Sequence, residues 1–342
     1  MTRDPFGTLD GVDVAAVTLS NGGLTARFIT YGARLTQLWV PDAIGTRADV
    51  VLGFDDLQGY VQGGGYLGAV CGQYANRVAN GQCRVAGHPV HLDTNEGVHH
   101  LHGGSHGFDS KIWEITALAD HSVTFSAVSE DGEMGFPGRS CLTARYTLTP
   151  DAALDIELTA DTDAPTLMNM TNHAYFNLAG YTGGDVLGHH LGIASGFYTP
   201  VNDALLATGE VRHVGGTPYD FQTSKPIGQD IVPLCPVMGD GGYDHNWCLN
   251  PCQNAVRLFD PGSGRRMTLT TTEPGVQVYT GGAFDGQARG KGGHPLHRFA
   301  GVALEPQKYP CSPNFAHFPD ATLWPGQIYR HHTRLQFSAD AH

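Results

Sequence analysis

The stretch that decides the fold class is residues 142–160, which reads LTARYTLTPDAALDIELTA. Apolar and polar residues alternate on both sides of Thr149–Asp151, which is the period of a half-buried β-strand. The Thr-Pro-Asp segment is typical of a turn, so the two halves are predicted to pair as an antiparallel hairpin. The same alternation recurs at residues 123–127 and 333–337, and no stretch shows a sustained 3.6-residue period. The chain is therefore predicted to be all-β.

Composition favours one large antiparallel β-sandwich over residues 1–342. The 46 glycines and 20 prolines indicate many turns and few, short helices, one of them near residues 54–59. Hydrophobic residues make up 41% of the chain, which is enough for a substantial core. There is no linker, low-complexity segment or break in composition, so a single domain is the expected organisation.

Charge and cysteine content exclude several classes of protein. The chain has 33 Asp and Glu against 20 Lys and Arg and no basic run, so no nucleic-acid partner is expected. No membrane span is expected, and the first residues do not have the apolar core of a signal peptide. The 7 irregularly spaced cysteines favour reduced thiols and a cytoplasmic location. Cys248 and Cys252 have a zinc-like gap without a matching second pair, so no metal is expected.

Glu305 is the first candidate for chemistry. It ends an alternating run in which Val302 and Leu304 share one face, while Ala303 and Glu305 share the other. Pro306 is expected to stop the strand ladder there. A carboxylate at a strand end, above a small neighbour, has room for a ligand. A solvated acid at a strand terminus would explain the same pattern.

Five further segments place polar side chains among apolar ones. His173 is predicted to share a strand face with Asn169 and Thr171, and buried polar groups must be paired or meet a polar ligand. Each motif is weak alone, and His173, Arg77, His102 and Asp244 are each better explained, taken singly, as a core, turn or loop residue. The remaining candidates are Arg77 with its neighbour Asn76 in a glycine-bounded loop, His102 in a histidine-rich loop, Asp244 after a glycine-rich turn, and Gln277 on a predicted strand.

Together these side chains suit a neutral polyhydroxylated ligand such as a sugar. Carboxylate, guanidinium and amide groups can each bind paired hydroxyls, and the planar guanidinium of Arg77 fits vicinal oxygens. Phosphate is not expected, because Arg77 is the one strong cation in these motifs and no Gly-Lys-Ser/Thr phosphate loop occurs.

Six ordered motifs resemble the aldose 1-epimerase family, also called galactose mutarotases, and the similarity runs from about Thr18 to Phe337. The resemblance implies a β-sandwich of the galactose mutarotase type with the sugar in an open cleft. It implies that Glu305 is the general base and His173 the general acid, and that the sugar hydroxyls are held by Arg77, His102, Asp244, Gln277 and Asn76. The motifs are Asp49–Asp55, Tyr74–Gly81, Leu101–Gly104, Thr171–Leu178, Gly242–Asn246 and Leu304–Gln307.

Two residues depart from the family pattern. Cys311 stands where the family usually has Asp, so the shape of the loop after Glu305 is not predicted. Gln73 replaces a common Arg, which is expected to remove a charge near the entrance to the site.

The implied activity, interconversion of sugar anomers, needs one base and one acid. The base takes the proton of the anomeric hydroxyl while the acid protonates the ring oxygen, and rotation about C1–C2 precedes reclosure. Histidine titrates nearest neutral pH, so His173 suits the acid, and Glu305 is expected to be ionised in the resting enzyme. No cofactor is required, and a monomer and a homodimer are both compatible with the sequence.

Other functions are weighed against this one. A glycoside hydrolase would use Asp244 and Glu305 as a carboxylate pair, but it leaves His173 unexplained. A non-catalytic carbohydrate-binding protein on the same fold would be expected to have lost Glu305 or His173, and both are present. An epimerase for hexose 6-phosphates would need further cations near the cleft. An epimerase for a different aldose fits all the motifs, and the preferred aldose does not follow from the sequence.

Overall fold

The computed structural model describes residues 1–231, 241–250 and 255–339. Its α-helix α1 (Leu57–Gln62) begins after Asp56, whose side chain accepts a hydrogen bond of 2.8 Å from the N–H of Gly59. Because this N-cap sets the start, the helix lies slightly later than the predicted residues 54–59. No helix in the described ranges is long and apolar enough to cross a membrane. Short 3₁₀ turns lie at Ala79–Gly81, Phe108–Ser110, Glu133–Gly135, Ile227–Asp230, Lys291–Gly293 and Ser312–Asn314.

The largest sheet has nine antiparallel strands. The predicted hairpin is confirmed at its centre, where the two halves pair from Ser140 opposite Thr162 to Leu148 opposite Leu154. The strand order is β11 (Glu114–Ala119), β12 (Ser122–Ser129), β13 (Ser140–Leu148), β14 (Ala153–Thr162), β28 (Tyr329–Ala339), β24 (Arg265–Thr271), β23 (Val256–Phe259), β18 (His190–Ile193) and β21 (Lys225–Pro226).

A six-stranded and a five-stranded sheet complete the framework. The six-stranded sheet, in spatial order, is β17 (Tyr175–Phe176), β26 (Val302–Gln307), β25 (Gly275–Tyr279), β22 (Asp244–Cys248), β19 (Phe197–Thr199) and β20 (Arg212–His213). The five-stranded sheet is β1 (Thr2–Leu9), β2 (Val12–Asn21), β3 (Leu24–Ile29), β4 (Arg34–Pro41) and β5 (Arg47–Asp49).

Smaller two-stranded ribbons bring loops towards the six-stranded sheet. They are β6 (Val70–Cys71) with β16 (Thr171–Asn172), β7 (Arg77–Val78) with β10 (His100–Leu101), β8 (Gln82–Val85) with β9 (His88–His91), and β15 (Thr166–Leu167) with β27 (Thr322–Leu323).

The main apolar core is shared by all three large sheets. Phe28 of β3 packs against Tyr146 of β13 with ring centroids 4.5 Å apart. Leu304 of β26 lines a small internal space together with Ile156 and Leu158 of β14. The six-stranded and five-stranded sheets therefore both cover the nine-stranded sheet, and the predicted all-β sandwich is confirmed.

Pro306 does not end its strand, so that prediction is wrong. β26 continues to Gln307, and Pro306 lies opposite Val276 of β25. Among the described residues, β17 pairs only with the first two residues of β26, so Pro306 has no strand partner on the β17 side. The lack of an N–H on proline therefore removes no ladder hydrogen bond there. Glu305 therefore lies inside the strand, opposite Gln277, and not at its end.

Candidate active site

Neighbouring strands of the six-stranded sheet present polar side chains on one face. Glu305 of β26 lies opposite Gln277 of β25, and Tyr279 of β25 lies opposite Asp244 of β22. Residues two apart in a strand share a face, so Gln277 and Tyr279 place both pairs on the same side of the sheet. This side faces away from Leu304 and the apolar core.

The small-residue face predicted around Glu305 contains Ala303, which lies between two tyrosines. Ala303 lies opposite Tyr175 on one side and Tyr279 on the other. The two rings meet in a T-shaped arrangement with centroids 6.0 Å apart. A larger side chain at position 303 would fill the space that the two rings occupy, so alanine there allows an aromatic wall beside Glu305.

The polar face forms the floor of a cleft of about 420 Å³. Aromatic and apolar side chains, among them Tyr66, Tyr175, Tyr279 and Phe284, form part of its wall. Gln277 does not line the cleft but lies buried behind Asp244. The other residues that sequence analysis selected all line it: Asn76, Arg77, His102, His173, Asp244 and Glu305.

His173 and Glu305 form a buried pair at the cleft floor. His173 Nε2 lies 3.5 Å from Glu305 Oε1, and the two residues are 3% and 1% exposed. Among the described residues, neither His173 Nδ1 nor Glu305 Oε2 has a hydrogen-bond partner. Buried polar atoms in native proteins are nearly always paired, so these two atoms indicate a site for a polar ligand.

The segment that carries His173 is not one continuous strand. His173 lies between β16 and β17, where its N–H donates to the carbonyl of Ala69 (2.8 Å) and its carbonyl accepts from Gly68 (2.9 Å). Asn169 and Thr171, predicted to share its face, are buried but do not line the cleft. Only His173 of that predicted polar row therefore reaches the site.

Burial shifts both pKa values of the pair towards the neutral forms. Burial, and then the charge of Asp244, raise the pKa of Glu305 well above its usual range, while Arg77 acts in the opposite direction. Burial lowers the pKa of His173 to about 4. Both shifts therefore favour the neutral forms of the pair in the sugar-free cleft. The expectation of an ionised Glu305 in the resting protein stays a prediction, and burial opposes it.

Arg77 is held between two carboxylates. Its Nε and Nη2 donate to Glu96 at 2.6 and 2.8 Å, and its Nη1 lies 3.5 Å from Asp244 Oδ2. Burial alone would lower the pKa of Arg77, but the charges of Asp244 and Glu96 outweigh it and the pKa is raised. Gln277 Nε2 donates to the other carboxylate oxygen of Asp244 at 2.6 Å. One hydrogen-bonded chain thus runs from Glu96 to Gln277.

Glu96 also lines the cleft but is not among the residues predicted from the sequence. It lies in the same histidine-rich motif as His102, so an acidic residue beside a candidate site was the available signal. Its partner could not be inferred, because Arg77 is brought opposite this segment only when β7 pairs with β10.

His102 and Asn76 fix each other in left-handed backbone conformations, with φ of 51° and 67°. The N–H of Asn76 donates to His102 Nδ1 at 3.2 Å, and the N–H of His102 donates to the carbonyl of Asn76 at 3.2 Å. Because Nδ1 is an acceptor, Nε2 carries the ring proton. Burial lowers the pKa of His102 well below its usual range, so this residue is a neutral hydrogen-bond donor.

Comparison with known proteins identifies the family. The family model for aldose 1-epimerase matches residues 15–336. This chain belongs to the aldose 1-epimerase family. It is 38% identical to galactose mutarotase of Bos taurus, over 99% of this chain and 98% of that protein. It is 34% identical to aldose 1-epimerase of Escherichia coli (strain K12), over 97% of each chain.

Solved structures of aldose epimerases have the same fold. An aldose epimerase homologue from C. elegans superposes with a TM-score of 0.87 at 30% identity, over 96% of this chain and 100% of that one. Galactose 1-epimerase from Lactobacillus acidophilus gives a TM-score of 0.86 at 25% identity, over 99% of each chain. The β-sandwich of the galactose mutarotase type is thus confirmed.

The two departures from the family pattern have different consequences in this epimerase. Gln73 is not at the cleft entrance but buried, and its Nε2 donates to Thr166 Oγ1 at 2.7 Å. Cys311 has a left-handed φ of 59°, and its N–H donates to the carbonyl of Arg77 at 2.9 Å. The loop after Glu305 therefore packs against β7 with cysteine in this position.

One group of residues in this epimerase could hold a metal. Within the described ranges, His102, His173 and Glu305 alone bring three ligand atoms within 4.8 Å of one another. Two imidazoles and a carboxylate are a donor set for divalent transition metals. Two of these residues are the candidate acid and base, and the predicted mechanism requires no ion. Of the Cys248–Cys252 pair, Cys252 lies outside the described residues.

Proposed function

We propose that this protein interconverts the α and β anomers of free aldohexoses such as glucose and galactose. The observation that carries the proposal is the buried pair in which His173 Nε2 lies 3.5 Å from Glu305 Oε1 at the floor of a polar cleft. The anomeric oxygen and the ring oxygen of a pyranose are bonded to the same carbon. Two groups this close can therefore reach both oxygens of one bound sugar.

In the ring-opening step, Glu305 is the base and His173 is the acid. The anomeric hydroxyl donates a hydrogen bond to the Glu305 carboxylate, and the ring oxygen accepts one from the His173 imidazolium. Both hydrogen bonds favour the ionised forms, so sugar binding moves the proton of the pair from Glu305 to His173. This reconciles the pKa shifts, which favour the neutral forms of the pair, with the need for an ionised base.

The chemical step then conserves one proton on the pair. Glu305 takes the proton from the anomeric oxygen while His173 gives its proton to the ring oxygen, and the bond between C1 and the ring oxygen breaks. The product is the open-chain aldehyde with a free hydroxyl. After rotation about C1–C2, neutral His173 takes that hydroxyl proton, and Glu305 protonates the carbonyl oxygen as the ring closes on the other face.

The remaining residues hold the sugar hydroxyls. Neutral His102 donates through Nε2–H, and Asp244 and Arg77 contribute an acceptor and a cation. The side-chain oxygen of Asn76 accepts from the N–H of Arg77 at 2.8 Å, which leaves its NH₂ group for a hydroxyl. Gln277 acts from behind by orienting Asp244 through its hydrogen bond of 2.6 Å.

Optical rotation tests the proposal. Freshly dissolved α-D-glucose and α-D-galactose should equilibrate faster with purified protein, and the ratio of the two rates gives the preferred aldose. Glu305→Gln is the control that keeps the shape of the cleft. If no common aldose is accelerated although NMR line broadening detects binding, the protein is a non-catalytic carbohydrate-binding protein and the proposal fails.

We further propose that residues 1–342 form one domain that works in the cytoplasm without a cofactor, as a monomer or homodimer. A core shared by three sheets supports the single domain. The free state of Cys71, Cys83, Cys141, Cys248 and Cys311 supports a reducing compartment. The net charge of −13 argues against a nucleic-acid partner. Light scattering on a size-exclusion column distinguishes monomer from dimer.

A further inference from the structure

We infer that Glu96 sets the charge specificity of the cleft, because it occupies Arg77 and thereby excludes anionic aldoses. The inference rests on the proposed function, since it concerns the sugar bound at the same site. The side chain of Glu96 is 36% exposed at the rim, whereas that of Arg77 is 8% exposed. Glu96 is thus the outer member of the pair and the one that an entering sugar meets.

Glu96 fills the edge of Arg77 that would bind a carboxylate or phosphate. The Nε and Nη2 groups of arginine form a planar fork that fits two acceptor oxygens at once. Both groups already donate to the two oxygens of Glu96, at 2.6 and 2.8 Å. Nη1 faces Asp244 at 3.5 Å. An acidic sugar would have to displace Glu96 to form a paired contact with Arg77.

The turn that carries Glu96 holds its carboxylate in place. Glu96 and His99 exchange both backbone hydrogen bonds, at 3.1 and 3.0 Å, and Gly97 has a left-handed φ of 60°. The Asn95 side chain accepts from the N–H of Leu101 at 2.8 Å and donates to its carbonyl at 2.9 Å. Because the backbone is fixed on both sides, little conformational entropy opposes the contact with Arg77.

With Glu96 in place, the cleft is anionic. Among the described lining residues, Arg77 is the one lysine or arginine, and the acids are Glu96, Asp244, Asp285 and Glu305. The acids outnumber the cation even when Glu305 holds the proton of the catalytic pair. Neutral sugars are unaffected by this field, whereas a sugar carboxylate is repelled in a partly desolvated cleft.

Glu96→Gln tests the inference, because glutamine has the same size but no charge. The readout is the ratio of kcat/KM for D-galacturonate, which has a carboxylate at C6, to that for D-galactose. Both are measured by NMR exchange between anomeric protons at low ionic strength. We expect the ratio to rise about tenfold, because a unit charge at close range in a partly buried site is worth at least that factor.

Asp285→Asn is the matched control. It removes one carboxylate from the same cleft but leaves Arg77 bound to Glu96, so the ratio should change by less than about threefold through the screened field. An equal rise in the control would assign the selectivity to the general field and overturn the role of Glu96. An unchanged ratio in Glu96→Gln would overturn it directly.

Measurement of binding resolves two further outcomes, namely loss of turnover in the Glu96→Gln variant and lack of turnover in the wild-type protein. If Glu96→Gln loses turnover on both sugars, the ratio of dissociation constants from NMR line broadening replaces the kinetic ratio, with the same criterion. If wild-type protein does not turn over galactose, the proposed function fails, and the ratio of dissociation constants still decides whether Glu96 excludes acidic sugars.

Discussion

Two of the buried pairs of oppositely chargeable side chains, Lys291–Asp49 and His173–Glu305, are built in opposite ways. Lys291 Nζ lies 2.6 Å from Asp49 Oδ2 and also donates to the carbonyl of Val51 at 2.9 Å. Asp49 in turn accepts backbone N–H groups. His173 and Glu305 lie 3.5 Å apart, and each keeps one polar atom without a partner among the described residues.

The Lys291–Asp49 pair stabilises the fold, whereas the His173–Glu305 pair is arranged to contact a ligand. The contact of Lys291 with Asp49 joins the turn at Lys291–Gly293 to β5, and the Asp49 carboxylate also accepts from the N–H groups of Leu38 and Val51. The unpartnered atoms of His173 and Glu305 carry a desolvation penalty that only a polar ligand can remove. Incomplete hydrogen bonding thus distinguishes the His173–Glu305 pair from the Lys291–Asp49 pair.

The largest expected effect is on turnover, which depends on the His173–Glu305 pair. Glu305→Gln and His173→Asn should each lower kcat by about 10²–10⁴-fold, because each removes a positioned acid or base. The double variant should lose little more, since the two groups act as a unit. Polarimetry measures the rates, and circular dichroism checks that folding is intact. Near-normal activity of Glu305→Gln would show that this residue is not the base.

Removal of Lys291 should instead affect stability. Lys291→Met leaves the Asp49 carboxylate buried without its cation, so the free energy of unfolding should fall by about 3–5 kcal/mol. Urea denaturation measures the change, and kcat of the folded fraction should stay normal. The control is Lys291→Met with Asp49→Asn, which should recover part of the loss. A loss below about 1 kcal/mol would contradict the structural role of the pair.

The pH dependence of kcat/KM should reflect the shifted pKa values of His173 and Glu305. Below pH about 4, His173 and Glu305 are both protonated, so the pair has no base. Activity should therefore fall about tenfold for each pH unit. At higher pH, activity should persist at values above the usual pKa range of glutamate. Burial raises the pKa of Glu305, so the pair keeps the one proton it needs. An acid limb near the ordinary histidine value of about 6.5 would contradict this assignment.

The smallest expected effect is a gain in stability from Glu305→Gln. The pKa of Glu305 is higher in the folded than in the unfolded protein, so its contribution to stability is full at low pH and declines as pH rises. Glutamine removes that decline, and the free energy of unfolding at pH 7 should rise by about 1 kcal/mol. The gain should vanish near pH 4. Thermal unfolding at both pH values measures it.

Glu273 offers the matched control for that gain. It is also buried, but it accepts hydrogen bonds from Lys308 at 3.3 Å and from Tyr329 at 3.2 Å. Glu273→Gln breaks a satisfied pair and should lower stability at pH 7. If both glutamine variants changed stability in the same direction, burial alone would explain them and the comparison would fail.

The sequence predicts the strands that have one buried and one exposed face. β13 and β14 alternate clearly, so their hairpin was predicted from local pattern and turn chemistry. β26 is buried along its whole length, so alternation does not mark its end. The proline rule was then applied to Pro306 without knowing that its N–H side has no strand partner there.

The sequence predicts the types of site residue better than their states. Arg77 and His173 were found through ordered motifs, but their partners depend on pairings between distant segments. Glu96 was missed for that reason. The raised pKa of Glu305 could not be predicted, because the burial of this carboxylate arises only when β17, β25 and β26 assemble around it.

The position of β28 has a consequence for synthesis in the cell. This strand is the last described strand in chain order, yet it lies between β14 and β24 inside the nine-stranded sheet. Until residues 329–339 leave the ribosome, β14 and β24 present unpaired edges that invite aggregation. The nascent chain therefore depends on protection of these edges until residues 329–339 have emerged, and activity should not appear before then.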